Sequence, residues 1–331
     1  MGPPPGTDPA AARAPRPGAG AAAAPADEFV RGRPAPALRP YVAHYTGYRQ
    51  TGLPPGLHRG LPSPHLTLIL TLEDRLTLAG HPDPGQPPGS YDTLLGGLHT
   101  APALIVRDGR QAGVQVALGP LGARALLGTP AGELAHLDVP ADAVLGRAAA
   151  ELHDRLREAP SWSDRFAVLD QVLSRLLVPE RTGPACALDR LAGAWHLLLA
   201  SKGAVAVPEL AGEAGWSTRH LTARFRAEIG LTPKEAARVV RFDRARRLLA
   251  ARVLRPGGPG RGPAGLGLAG LAVECGYFDQ AHLAREFRAL AGCAPSRWLE
   301  QEYGREFRNV QAGRESGGGG WEAQGLAGGR R

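Results

Sequence analysis

The sequence predicts an α+β protein: an antiparallel β portion with helices after it, followed by an all-helical portion. Three observations predict this. Apolar residues alternate at period two in several runs between His65 and Leu118. The spacing changes to a helical one after Pro120. A stretch that begins at Leu210 recurs, residue type by residue type, from Leu271.

Residues 35–120 read as an antiparallel sheet or small barrel. His65 to Leu72 (HLTLILTL) puts Leu66, Leu68, Leu70 and Leu72 on one face. Glu73-Asp74-Arg75 reads as a turn, and Leu76 and Leu78 as a short return strand. Residues 81–90 form a loop. Ala103 to Val106 and the alternating Val114, Val116 and Leu118 flank Asp108-Gly109, a pair that favours a hairpin turn. Leu121–Leu127, Ala131–Leu137 and Ala148–Ala159 have helical spacing. Ser161, with Asp164 three residues on, caps a helix that runs to about Val178, and Pro179 ends it.

The chain has 331 residues, enough for two domains of ordinary size, and is 43% hydrophobic. Its 39 basic and 31 acidic groups leave a formal charge of +8, a balance that suits a polyanion partner. A GC-rich coding sequence explains the heavy use of Arg, Ala, Gly and Pro equally well. The three cysteines, Cys186, Cys275 and Cys293, form no CxxC pair, which argues against a zinc module or a disulfide framework and fits a reducing cytosol. Residues 1–26 are rich in Pro, Ala and Gly and lack the apolar core of a signal peptide. No run of about eighteen apolar residues occurs, so no membrane partner is expected. Nucleophile elbow, zinc-protease and phosphate-loop motifs are missing too, so neither catalytic residues nor a cofactor is expected.

The repeat is the most specific signal. Leu210, Ala211, Glu213 and Gly215 match Leu271, Ala272, Glu274 and Gly276. After a one-residue insertion, Leu221, Phe225, Arg226, Gly230 and Pro233 match Leu283, Phe287, Arg288, Gly292 and Pro295. Each unit reads as a short helix, a left-handed turn at Gly215 or Gly276, and a second helix capped by Ser217 or Asp279. Leu221, Phe225 and Ile229 would be buried in one unit, and Leu283 and Phe287 in the other. Trp216 and Tyr277 also belong to the core, and Cys275 and Cys293 read as small buried residues. Thr232, Pro233 and Glu235 start a long joining helix, with Val239, Phe242 and Leu249 on one side and Arg238, Arg241, Arg244 and Arg247 on the rest. Leu188, Leu191, Trp195, Leu198 and Leu199 supply a packing helix before the first unit.

With GLTPKEAARVVRFDRARRLL closing the first unit and LAVECGYFDQAHLAREFRALAGCAPSRW forming the second, the stretch from 187 to 303 resembles the DNA-binding domain of AraC/XylS-type regulators. The resemblance covers about a third of the chain. It implies two helix-turn-helix units and a sequence-specific transcriptional regulator acting on double-stranded DNA in the cytoplasm. Its base-facing positions fall at Arg219, Thr222 and Ala223 in the first reading helix and at Gln280, Ala281, His282 and Arg285 in the second. Arg219 and Arg285 can each take a guanine by two parallel hydrogen bonds, Gln280 an adenine edge, and the Ala223 methyl a thymine methyl. Ser217, Arg226, Arg241, Arg244 and Arg288 suit phosphates. One departure stands out: residues 252–267 (RVLRPGGPGRGPAGLG) are longer and richer in Gly and Pro than the family's link, which puts a fixed spacing between the reading helices in question.

The same resemblance makes residues 35–179 a sensor and dimerisation domain with a cupin-like barrel, controlled by a small-molecule effector or a partner, with a homodimer as the expected assembly. His58, His65, His81 and His99 are scattered without an H-x-H spacing, so no metal is expected. His58, Arg59, Ser63 and His65 read as surface or loop residues before pocket residues. The expected division is a disordered tail over 1–34, the sensor over 35–179, a linker over 180–186, the DNA-binding domain over 187–304 and a disordered tail over 305–331. A DNA-repair or other enzyme fused to the same unit is the alternative. An alkyl-transfer version would need an activated cysteine within residues 1–185, which contain none.

Overall fold

A computed structural model describes residues 27–52, 55–178, 185–254 and 267–303. The N-terminal strands are β1 (Asp27–Gly32), β2 (Val42–Thr51), β3 (Gly56–Gly60), β4 (Leu66–Thr71), β5 (Leu76–Gly80), β6 (Gly89–Tyr91), β7 (Thr93–Gly96), β8 (Ala103–Arg107), β9 (Arg110–Leu118) and β10 (Asp138–Pro140). They form two antiparallel sheets, one in the order β1-β2-β9-β4-β7-β10 and one in the order β3-β8-β5-β6. Short helices α1 (Ala123–Leu127) and α2 (Asp142–Leu145) flank β10, and α3 (Arg147–Glu158) and α4 (Trp162–Leu176) follow.

Period-two alternation decides which face of the larger sheet meets which layer. Leu66, Leu68 and Leu70 lie opposite Leu118, Val116 and Val114 of β9, and all six are sealed from solvent. They share a core with Ala149, Leu152 and Leu156 of α3 and with Leu169, Val172 and Leu173 of α4. Each such Leu contributes about 1.5–3 kcal/mol. Ile69 and Leu94 point the other way and meet Leu78, Ala103 and Ile105 of the smaller sheet. A buried polar tie also links the two sheets: His81 Nδ1 lies 2.9 Å from Asp138 Oδ2, and Gln86 bonds both the amide and the carbonyl of Asp138. On the helical side, Tyr45 donates its hydroxyl to Asp170 of α4 at 2.8 Å, and burial pushes that phenol far up. The Ser161 cap forms as expected, its hydroxyl accepting from the Asp164 amide.

Both hairpins expected from the sequence are absent. β4 is bonded on one edge to β9 and on the other to β7, so no edge is left for β5, which joins β8 and β6 in the other sheet. The turn after Leu72 therefore crosses between layers. Asp108-Gly109 does the same, because β9 is already paired on both edges by β2 and β4. Long-range Leu–Val pairing outweighs the local turn preference. β1 corrects the tail boundary: residues 27–32 pair with Gln50 to Tyr45. Residues 1–26 and 305–331, expected as tails, lie outside the described residues, as does residue 304, the last of the expected DNA-binding domain. So does most of the expected linker, whose last two positions, Ala185 and Cys186, already belong to the next helix.

The C-terminal half contains α5 (Ala185–Ala200), α6 (Val207–Glu213), α7 (Thr218–Glu228), α8 (Pro233–Leu254), α9 (Leu268–Glu274), α10 (Gln280–Ala291) and α11 (Pro295–Glu302). Its core is continuous with that of the sheet and helices before it. Among the described residues, no helix is long and apolar enough to cross a membrane.

Candidate nucleic-acid interface

The two copies of the repeat fold alike down to single hydrogen bonds. After α6, Gly215 sits at φ +64°, and the Trp216 amide reaches back to the Ala211 carbonyl at 2.9 Å. After α9, Gly276 sits at φ +77°, and the Tyr277 amide reaches the Ala272 carbonyl at 2.9 Å. This left-handed closure suits glycine, because any other residue would bring its Cβ against the carbonyl. The second helix of each unit then starts on a side-chain cap. Ser217 accepts from the His220 amide at 3.2 Å, and Asp279 from the His282 amide at 2.6 Å. Both capped histidines lie edge-on to an aromatic residue of the turn, His220 on Trp216 and His282 on Tyr277.

The inward faces are dry: Leu210, Leu221, Phe225 and Ile229 in the first unit, Leu271, Leu283 and Phe287 in the second, with Trp195 and Leu198 of α5 beneath the first. On the outward faces, Arg219, Ala223 and Arg226 of α7 and Gln280, Ala281, Arg285 and Arg288 of α10 are exposed. Thr222 and His282 are half-buried. Thr222 donates its hydroxyl proton to the Thr218 carbonyl at 2.7 Å, which leaves a lone pair and a methyl group outward. His282 Nδ1 accepts from the Phe278 amide at 3.3 Å, so in the neutral ring Nε2 carries the proton and acts as a donor. Ser217 is exposed, with its oxygen already serving as the cap.

Arg241 and Arg244, expected at phosphates, are used inside the protein. Arg241 Nη1 donates to the Gly203 carbonyl at 2.7 Å, and Arg244 Nη1 to the Glu274 carbonyl at 2.5 Å. Arg241 thus ties α8 to the loop before α6, while Arg244 belongs to a set of ties by which α8 holds the second unit. Arg238 pairs with Glu286 of α10 at 2.7 Å, Arg252 with Glu274 of α9 at 2.8 Å, and Phe242 packs on Phe287 with ring centroids 5.0 Å apart. Thr232 and Glu235 form the reciprocal cap expected at the start of α8. Residues 255–266, the bulk of the Gly/Pro-rich link, lie outside the described residues, but bracing by α8 bypasses them.

Sequence reading missed how the N-terminal half grips α7. Arg124 of α1 forks onto Glu228, Nε to Oε2 at 2.7 Å and Nη2 to Oε1 at 3.2 Å. Beside it, the 3-10 turn Ala131–Leu134 lies so close to α7 that a Cβ on Gly132 would stand 2.2 Å from the Ala227 carbonyl oxygen. The one available signal was a Glu placed between Phe225 and Ile229 on the apolar stripe. The one-residue insertion of the second unit is Phe278, 89% exposed directly before the cap. The four N-terminal histidines do not gather: His58 pairs with Glu302, His81 with Asp138, His99 with the Ala101 carbonyl, and His65 packs on His44. Cys275 and Cys293 are buried, and burial pushes both thiols up.

Residues 210–301 match the family described as Helix-turn-helix domain, and residues 30–140 match a Domain of unknown function (DUF6597). No curated protein matches the chain. Among solved structures, ToxT from Vibrio cholerae O395 is similar at 12% identity, over 83% of this chain and 98% of that one, with a TM-score of 0.44. Unsaturated fatty acid bound ToxT from Vibrio cholerae strain SCE256 is similar at 10% identity, over 83% and 96%, with a TM-score of 0.44. The family match begins at Leu210, the first residue of the repeat, and spans both capped helices with their exposed arginines: residues 210–301 of this chain form a helix-turn-helix domain.

Proposed function

We propose that α7 and α10 read bases in successive stretches of major groove on one duplex. Arg219, Thr222 and Ala223 form the reading set of α7; Gln280, Ala281, His282 and Arg285 form that of α10. The observation that carries this is that Arg219, Ala223, Gln280, Ala281 and Arg285 are exposed, with Thr222 and His282 half-buried beside them, on two helices that start from equivalent caps. Arg219 and Arg285 each offer a fork to guanine, and Gln280 a donor and an acceptor to adenine. The His282 Nε2–H adds a donor. Arg226 and Arg288 carry the phosphate contacts, with the amides at the helix starts near Ser217 and Asp279 as further donors. Arg241 and Arg244 are left out of this set, since internal acceptors hold them.

Selection of bound sequences from random duplexes by the full chain tests this. A defined motif is expected, and Arg285→Ala should lose preference at one base position. Uniform loss of binding across all sequences would remove Arg285 from the reading set.

Residues 27–178 act as the controlling domain, in this reading through a small-molecule effector or a homodimer contact, and the protein works in the cytoplasm beside its DNA. The grip of α1 and the Ala131–Leu134 turn on α7 supports control from that side. Sedimentation at several concentrations tests the dimer. The enzyme alternative finds no support in Cys275 and Cys293, whose raised thiols are the reverse of an activated nucleophile.

A further inference from the structure

Phe278 is the most exposed large apolar side chain among the described residues, at 89%. It has no counterpart in the first unit, where Trp216 is followed directly by the cap residue Ser217. The insertion is not needed to close the turn, since Trp216 and Tyr277 return to α6 and α9 by the same 2.9 Å bond. Nor does Phe278 staple the helix. An apolar residue before the cap ordinarily folds onto the fourth residue of the helix, here Leu283. Leu283 is sealed at 1% exposure, and Tyr277, 4% exposed, already belongs to the core, so the Phe278 ring takes no part in that contact. Its backbone is nevertheless fixed: the Phe278 amide donates to His282 Nδ1 at 3.3 Å, and the next residue, Asp279, caps α10. An anchored main chain thus presents a bare aromatic ring at the leading end of α10, two residues before Gln280.

We propose that Phe278 selects a thymine in the half-site of α10 by packing its ring on the C5 methyl group. A helix lying in the major groove meets base edges with its N-terminal residues, which is where Phe278 stands. On that groove floor the other three bases present hydrogen-bonding atoms, and thymine alone adds an apolar methyl. A phenyl ring has no hydrogen bond to give a phosphate oxygen, so the duplex backbone offers it less than the methyl does. Covering the ring also withdraws apolar surface that the free protein leaves in water. Because the first unit has no such residue, the two half-sites should differ at this position. This deepens the base-reading role of α10 and rests on it.

The test uses the full chain. Its preferred duplex is obtained by selection from random sequences, and each thymine of that duplex is then replaced in turn by uracil, which removes only the methyl. One replacement should weaken binding by the wild type about fourfold, the worth of a methyl-sized group taken from water. Phe278→Ala should bind the thymine duplex about fourfold more weakly and be indifferent to that replacement. Its thermal midpoint should equal that of the wild type, because the ring is exposed. The proposal is overturned if no uracil replacement weakens the wild type, or if the same replacement weakens Phe278→Ala as much, which would give the methyl to another residue such as Ala281. A loss of affinity for every duplex alike in Phe278→Ala overturns it in favour of a backbone contact, and a lowered midpoint in favour of a packing role. A selected motif without methyl dependence removes this contact and leaves Gln280 and Arg285 as readers. Absence of any selected motif removes the base-reading role of α10 and this contact with it.

Discussion

A double-mutant cycle on Arg124 and Glu228 tests the joint between the two halves. The Glu228 side chain is 8% exposed and the Arg124 side chain 34%, so the pair lies between a surface bridge and a buried one. Breaking a buried pair costs about 3–5 kcal/mol and an exposed one about 0–1 kcal/mol. The two-pronged geometry at 2.7 and 3.2 Å puts the expected coupling near 2 kcal/mol. The single variants should be unequal. Glu228→Ala leaves an arginine that reaches water, whereas Arg124→Ala leaves a nearly dry carboxylate with Arg224 3.7 Å away as its remaining cation. Arg124→Ala should therefore be the costlier by about 1 kcal/mol. Urea unfolding of the wild type, both singles and the double gives the coupling directly. A coupling below about 0.5 kcal/mol, the level of an exposed bridge, or Glu228→Ala as the worse single, would refute the reasoning.

Gly276→Ala forces a left-handed residue at φ +77° and should cost about 1–2 kcal/mol, with footprinting showing protection lost over the half-site of α10 while that of α7 persists. Phe287→Ala empties a site sealed between Phe242 and Trp298 and should cost about 3–5 kcal/mol in chemical unfolding. Arg226→Ala and Arg288→Ala should each weaken all duplexes alike and lower the salt slope of binding by about one, whereas Arg241→Ala should act on stability and leave that slope unchanged. Stability should fall as pH drops from about 6.5 to about 4 and then level off. Burial holds His44, His65 and His99 near 4 against an ordinary 6.5, so across that window the unfolded chain takes up protons that the fold refuses. Around His44 and His65, Arg31 and Arg247 add to this lowering and Asp243 opposes it. His65→Gln should flatten the slope in urea midpoints measured across that range.

The helical half was legible almost to the residue, because its determinants are local. Glycine at two left-handed turns, a cap residue before each reading helix and apolar side chains four apart all act within one or two helical turns. The β half was legible as strands and not as a sheet. Leu66–Leu72 and Val114–Leu118 announced their faces, but their partners are chosen across some forty residues of chain, and both local turn signals pointed to neighbours that other strands had displaced. β1 (DEFVRG) lacks clean alternation, so nothing local sets it apart from the residues before it. At the candidate interface, composition could separate outward arginines from inward leucines. Telling a phosphate-seeking arginine from one bonded to a carbonyl was beyond it: Arg226 and Arg241 look alike until Gly203 is placed beside one of them.

The ties from α8 to α9 and α10 have a consequence for how such a chain can change. A reading helix whose angle is fixed by Arg238, Phe242 and Arg252 does not inherit its angle from the peptide that leads into it. The number of residues between Leu254 and Gly267 is thereby released to drift, while the distance between α7 and α10 stays put. Operators with unaltered half-site spacing should then suit versions of this chain with shorter or longer connectors, and a change of spacing should demand a change along α8 instead.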